Sequence, residues 1–301
     1  MEGKSNNKKS IWKRITYPVI TTFRVIKRAG TGFTEERATE SAAGTTYFTL
    51  FSLFPLLIFI VAVGSFFVDE QVIKEEMINT IPQIIPVSPT LIEDNVVEVL
   101  RMRGEATLVG IIGLAWAASG ALTLLSRNIN RAFPKATPRN FIVARLVGFA
   151  MLASLIGLLA IASIAVPALL LVLEHSVSLF GREILADIPY EALITHSLTM
   201  FIGLIIFTNL YRWIPVTVVP WRAALLSGFI TAIAWDITTL GFSWYLRSGL
   251  VEYRLVYGSL GAVVALMFWI YLNFIIIYFG AHLAAAITTH FETKKEGALN
   301  P

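Results

Sequence analysis

Apolar positions in this chain run in long unbroken stretches, and polar ones gather between them. No charged residue occurs between Ser41 and Val68. A helix needs about 20 apolar residues to cross a hydrocarbon core of about 30 Å. Six stretches reach that length: residues 44–68, 108–125, 146–173, 192–211, 223–245 and 257–287. The pattern predicts an all-α, polytopic integral membrane protein with six transmembrane helices. Residues 1–43 form a basic leader, 44–287 the membrane domain and 288–301 a tail. A cleaved signal peptide would place about 7–15 apolar residues behind a short basic head. Here a polar leader of 43 residues precedes a much longer apolar run, so the first stretch reads as a span.

Composition removes the alternatives. The chain is 56% hydrophobic and 15% charged, whereas a soluble domain carries about 25% charged residues. A water-facing surface cannot be built from so few charges, and disordered chains are poor in apolar and aromatic side chains. The absence of cysteine excludes disulfides, thiolate metal sites and cysteine nucleophiles.

The basic residues orient the bundle. Residues 1–43, 126–145, 212–222 and 288–301 hold 18 of the 24 Lys and Arg, and the alternate segments hold the other six. The positive-inside rule then puts both termini in the cytoplasm. The net charge of +4 is therefore topological and not a nucleic-acid footprint.

Several segments outside the spans carry signals of their own. Residues 11–28 mix Trp12, Tyr17 and Phe23 with Lys and Arg. That mixture suits an interfacial helix pair broken at Pro18 and lying on anionic headgroups. An unstructured basic leader is the bland reading. Thr34, Glu35 and Glu36 resemble a helix N-terminus leading straight into the first span. Residues 69–107 suggest two amphipathic helices across the outer mouth, separated by three prolines in IPQIIPVSP. The cytoplasmic loop holds Arg127, Arg131, Lys135, Arg139 and Arg145 with no acid. Those five are candidates for anionic phospholipid headgroups, because RNA binding asks for a larger basic surface with stacking aromatics.

Polar residues inside spans are expensive and so informative. Asp236 is the one acidic residue within a span, where a charge costs about 2.5–3.5 kcal/mol at a helix centre. Ala224, Gly228, Ala232 and Asp236 recur every fourth residue, and small residues at that spacing let helices approach closely. Asp236 therefore faces another helix. The sixth span repeats the pattern with Tyr257, Gly261, Ala265, Trp269 and Asn273. Asp236 and Asn273 stand about 20 and about 21 Å from their inner helix ends at about 1.5 Å per residue, so the two are expected to meet. Thr45, Thr49 and Ser52 add a polar line on the first span, either lining a cavity or bonding back to their own helix.

Enzyme chemistry finds little support. Four histidines occur, with no HExxH, no GxxxxGK[ST] and no GxSxG. No metal ligands, cofactor site or catalytic residues are therefore assigned.

Four blocks in order resemble the YihY/BrkB membrane protein family: AAGTTYFTLFSLFPLL from Ala42, GIIGLAWAASGALTLLSRNINRAF from Gly110, LYRWIPVTVVPWRAALLSGFITAIAWD from Leu210, and YGSLGAVVALMFWIYLNFIIIYFGAHL from Tyr257. The resemblance covers nearly all of residues 40–290. It implies a six-helix bacterial inner-membrane protein, loosely associated with transport and serum resistance. Members have been labelled ribonuclease BN, yet the His/Asp cluster of the true zinc nuclease has no counterpart here. Relatives commonly carry Glu where this chain has His282.

The residues favour a transporter-like protein for a small solute, ion or lipid. Asp236, Asn273, Thr45, Thr49 and Ser52 would line its path, Asp236 as the proton- or ion-coupled member, with Gly228, Ala232, Gly261 and Ala265 closing the helix packing. The alternative is a non-transporting scaffold that binds lipids or partner proteins. Self-association is open to either.

Overall fold

The computed structural model describes residues 22–64, 108–134, 136–137, 139–151, 153–154, 157–158, 160–161, 190–248 and 261–299. Among the described residues there are seven helices and no strand. We label them α1 (22–35), α2 (Ala38–Gly64), α3 (Leu108–Arg131), α4 (Phe141–Met151), α5 (Tyr190–Trp213), α6 (Trp221–Arg247) and α7 (Gly261–Leu299). Two stretches, Trp221–Arg247 and Val263–Thr293, are long and apolar enough to cross a membrane. Pro18 and the leader up to residue 21, the outer helices expected in 69–107, and Lys135 lie outside the described residues, while residues 22–28 of the expected second leader helix are helical and belong to α1.

Local chemistry accounts for the boundaries. Asn140 caps α4, its Oδ1 accepting from the Val143 amide at 2.8 Å, which satisfies one of the free donors of the first turn. Arg131 in the last turn of α3 complements the helix dipole. Pro220, in the extended region, supplies the carbonyl that opens α6.

Three expected boundaries shift. Thr34 does not begin a helix. It ends α1, its hydroxyl bonding back to the Gly30 carbonyl at 3.0 Å, and α2 starts only at Ala38. The break is made by Arg37, which adopts φ 51°. The second span outlasts Leu125 because α3 continues through Ser126, Asn128 and Asn130, whose side chains all find partners. The tail is helical too: α7 runs past residue 287 to Leu299, with Thr288 and Thr289 bonded to the carbonyls four residues back.

Helix α7 is the hub. α2 packs on α3, α5 packs on α6, and α7 lies against both α2 and α6. The main core draws Ala38 and Ala42 from α2, Leu125 and Ile129 from α3, Phe207 and Tyr211 from α5, Ala223, Ala224 and Ala232 from α6, and Ile277, Tyr278, Ala281, Ala284 and Ala285 from α7. So many alanines permit the close backbone approach on which helix association in lipid depends. Nearer the start of α7, Leu50 and Leu53 of α2 pack on Ala265, Leu266, Trp269 and Ile270. Large apolar side chains cover the outside, among them Phe51, Phe201, Ile237, Leu240 and Trp244. Water would penalise such a surface and acyl chains would not.

Candidate functional site

Two hydrogen-bonded knots tie α7 to its neighbours. In the first, the hydroxyls of Thr45 and Tyr278 lie 2.6 Å apart. The Asn128 amide donates to both, at 3.1 Å to Thr45 and 3.0 Å to Tyr278. Thr45 also donates to the Ser41 carbonyl at 2.7 Å. Thr45 therefore gives its proton to that carbonyl while its lone pairs accept from Asn128 and Tyr278. In the second knot, Tyr211 donates to the Ile277 carbonyl at 2.9 Å and stands 3.1 Å from the Thr231 hydroxyl. Thr45, Asn128, Tyr278, Tyr211 and Thr231 are all buried.

Above the first knot lies a small cleft lined by Glu36, Ser41, Asn128, Arg131, Tyr278 and His282. Its volume of about 10 Å³ admits no more than about a single water. His282 is 5% exposed and has no hydrogen-bond partner among the described residues. Its ring sits edge-on to Phe33 at 5.9 Å, and Gly32 leaves room for it: a β-carbon there would stand 3.1 Å from Nδ1. The residues around the cleft thus include a carboxylate, a guanidinium, an imidazole and a phenol.

The antiparallel register of α2 and α7, set by Thr45–Tyr278 and by Leu50 and Leu53 against the Trp269 cluster, puts Thr49 level with Asn273. Both carry unsatisfied buried atoms, Thr49 Oγ1 and Asn273 Oδ1, and Trp269 Nε1 one turn further is unpaired as well. Asn273 spends its amide on the Trp269 carbonyl at 2.8 Å, and Ser52 donates to the Thr49 carbonyl at 3.0 Å. The Trp269 ring packs on Trp235 of α6 at 5.7 Å, so the three atoms lie around α7 and not along one helix pair. Buried polar atoms without partners are few in folded proteins and ask for a reason.

Asp236 sits elsewhere. Its carboxylate lies 3.3 Å from His196 Nε2 on α5, the side chains being 32% and 53% exposed, and it shares no hydrogen bond with Asn273. The expected Asp236–Asn273 meeting is replaced because the small-residue stripe of α6 faces α5. A β-carbon at Gly228 would stand 2.5 Å from Thr208 Oγ1, and Ala232 abuts Gly203. One turn on, the same face delivers Asp236 to His196. On α7, Gly261 and Ala265 are buried.

The basic loop is anchored from inside. Asn130 donates to the Thr137 carbonyl at 3.1 Å and accepts from the Val216 amide at 2.9 Å, clipping two loops together. Arg139 donates to Ser126 at 3.2 Å, and burial pulls its guanidinium below the usual arginine range. Arg127 and Arg131 are exposed. Arg145 is partly buried, and both burial and the charge of Arg127 lower its pKa. Among the described residues no three of His, Cys, Asp and Glu gather closely enough to hold a metal.

Over residues 29–300 the sequence matches the family described as virulence factor BrkB. The chain belongs to that family. Among BrkB relatives, the ribonuclease-like protein YfkH of Bacillus subtilis is 28% identical over 87% of this chain and 94% of its own. A UPF0761 membrane protein of Alteromonas mediterranea is 24% identical over 87% and 86%. Another, from Alkalilimnicola ehrlichii, is 24% identical over 88% of this chain, which spans only 58% of that relative. No solved structure matches. Family and apolar helices together make this a BrkB-type membrane protein.

Sequence reasoning missed His196, Asn128, Tyr278 and Tyr211. The first was findable: an ionisable residue inside 192–211 is a default site candidate.

Proposed function

We propose that the chain is a six-span protein of the bacterial inner membrane, with both termini cytoplasmic, that moves a small polar solute, ion or lipid along the interior seam around α7. The supporting observation is the presence around α7 of unpaired buried atoms, Thr49 Oγ1, Asn273 Oδ1 and Trp269 Nε1, beyond the knot that floors the cleft. A polar cargo passing there would satisfy them in turn. The cleft, lined by His282, Glu36 and Arg131, is the inner mouth, and the knot of Thr45, Asn128 and Tyr278 is the closed gate beneath it. Asp236 with His196, where α5 meets α6, is the coupling pair. Arg127, Arg131, Arg139 and Arg145 rest on anionic headgroups. The ribonuclease-like name of one relative is not carried over, because nothing in the seam resembles phosphodiester chemistry.

The test is an untargeted comparison of metabolites and lipids between deletion cells and cells complemented with wild type or Asn273→Leu. Leucine fills the same space without polar atoms. Wild type should restore the profile and Asn273→Leu, at equal expression, should not. Full restoration by Asn273→Leu would remove the seam as a path.

A scaffold role is the second reading, and one observation favours it. Thr46, Ser52, Thr123 and Thr288 all bond to carbonyls of their own helices, as inert hydroxyls do.

A further inference from the structure

Where α5 hands over to α6, an arginine lies between two tryptophans. The Arg212 guanidinium carbon is 5.3 Å from the Trp213 ring centre and 5.5 Å from that of Trp221. Trp213 donates its indole N–H to Asn209 Oδ1 at 3.1 Å, so what it offers outward is its ring. Trp213, Val216, Val218 and Trp221 are all exposed, Trp213 by 65%. Arg212 has no ion pair or hydrogen bond among the described residues, and its Nε is buried without a partner. Stacking holds the guanidinium but leaves its donors unused. Beside it, Pro220 opens α6, a helix of 27 residues, with no side-chain cap. The Trp221 and Arg222 amides therefore stand at the positive end of its dipole. Arg222 is exposed there too.

We infer that Arg212, braced by Trp213 and Trp221, seats the phosphate of an anionic phospholipid against the start of α6. The chemistry selects the ligand. Guanidinium donors and uncapped amides fit a phosphodiester. Exposed indoles and valines alongside fit the adjoining acyl and glycerol region, where tryptophan concentrates. A free phosphate would leave those apolar side chains in water. The inference rests on the membrane reading but not on transport, and a purified protein tests it without a transport assay.

Protein purified in a neutral detergent is mixed with phosphatidylglycerol, phosphatidylcholine or inorganic phosphate. Retained lipid is counted by native mass spectrometry, and the melting temperature is followed. Phosphatidylglycerol should be retained preferentially and raise the melting temperature. Arg212→Gln should weaken its retention about fivefold, and Arg222→Gln, an exposed site that leaves the stack intact, should weaken it less. Arg247→Gln, at the far end of α6, serves as the control and should change nothing. Equal retention by Arg212→Gln and Arg222→Gln relative to wild type would overturn the inference. So would an equal shift from inorganic phosphate, which would make the site one for free anions.

Discussion

The hydroxyl of Tyr211 stands where a side chain at Gly280 would have to be. A β-carbon there would collide with Tyr211 Oη and with Thr231 Oγ1. Gly280 is thus fixed by its neighbours: its bare backbone lets Tyr211 reach past it to the Ile277 carbonyl. Tyr278, one residue along from Ile277, takes its bonds from Thr45 and Asn128 on the other side. Helix α7 is held by hydrogen bonds from both halves of the bundle within a single turn.

Gly280→Ala should therefore destabilise by about 1–3 kcal/mol, the usual range for overpacking. Adding Tyr211→Phe removes one of the colliding atoms, so the double variant should be more stable than the sum of the two single losses. Thermal unfolding of the four proteins in detergent measures the coupling. Simple additivity would mean that the two positions do not compete for space.

Tyr278→Phe deletes one member of the other knot. Thr45 keeps its bonds to Ser41 and Asn128, so nothing is stranded, and the loss should be about 1 kcal/mol. Asn128→Leu should lose more, about 1–3 kcal/mol, because Tyr278 and Thr45 both lose a donor in a buried place. The order of the two unfolding temperatures is the readout, and a more stable Asn128→Leu would contradict the geometry.

Helix positions were legible in the sequence because lipid demands long apolar runs. Helices α5 and α6 reach only slightly beyond the stretches read from them at either end. Interior chemistry was much less legible. Asn128 looked like part of a loop, since Ser126 and Arg127 interrupt the apolar run, and Tyr278 looked like one more aromatic in a span. Their meeting depends on register between helices far apart in the chain. Asp236 was legible as a residue seeking a partner, but depth alone could not choose between α5 and α7. The small residues preceding it chose α5, through the close packing of Gly228 on Thr208. The break at Arg37 had no signal at all, because the sequence offers neither Gly nor Asn where the backbone turns left-handed.

That break gives a stability prediction. Arg37 sits at φ 51°. A residue with a β-carbon loses about 1–2 kcal/mol there relative to its ordinary conformations. Arg37→Gly should raise stability by up to about 1 kcal/mol, and Arg37→Val should lower it, β-branching being worse there. The exposed pairing of Arg37 with Glu40 at 3.4 Å does not change the order, since such pairs contribute little. Denaturation midpoints of the three proteins decide the order.

The topology can be read with thiol chemistry, because the chain has no cysteine of its own. Thr137→Cys lies in the basic loop and Ser248→Cys just beyond the other end of α6, both at exposed positions. In intact cells a membrane-impermeant thiol reagent should label Ser248→Cys and spare Thr137→Cys, with both labelled after lysis. The reverse pattern would invert the bundle and place the Arg212 site on the outer leaflet.

The pairing of Asp236 with His196 separates the two functional readings. Asp236→Asn keeps the size of the side chain and can still hydrogen-bond the imidazole, but it cannot gain or lose a proton. If the pair couples transport, cells carrying Asp236→Asn should retain the metabolite profile of deletion cells despite normal amounts of folded protein, and His196→Gln should behave alike. If the pair only joins α5 to α6, both variants should restore the profile. The close packing of Gly228 on Thr208 and Ala232 on Gly203 already holds those helices together. Charge is the single property that Asp236→Asn removes, so a loss of function there without a loss of protein assigns the pair a proton or an ion, and an intact profile assigns it to packing.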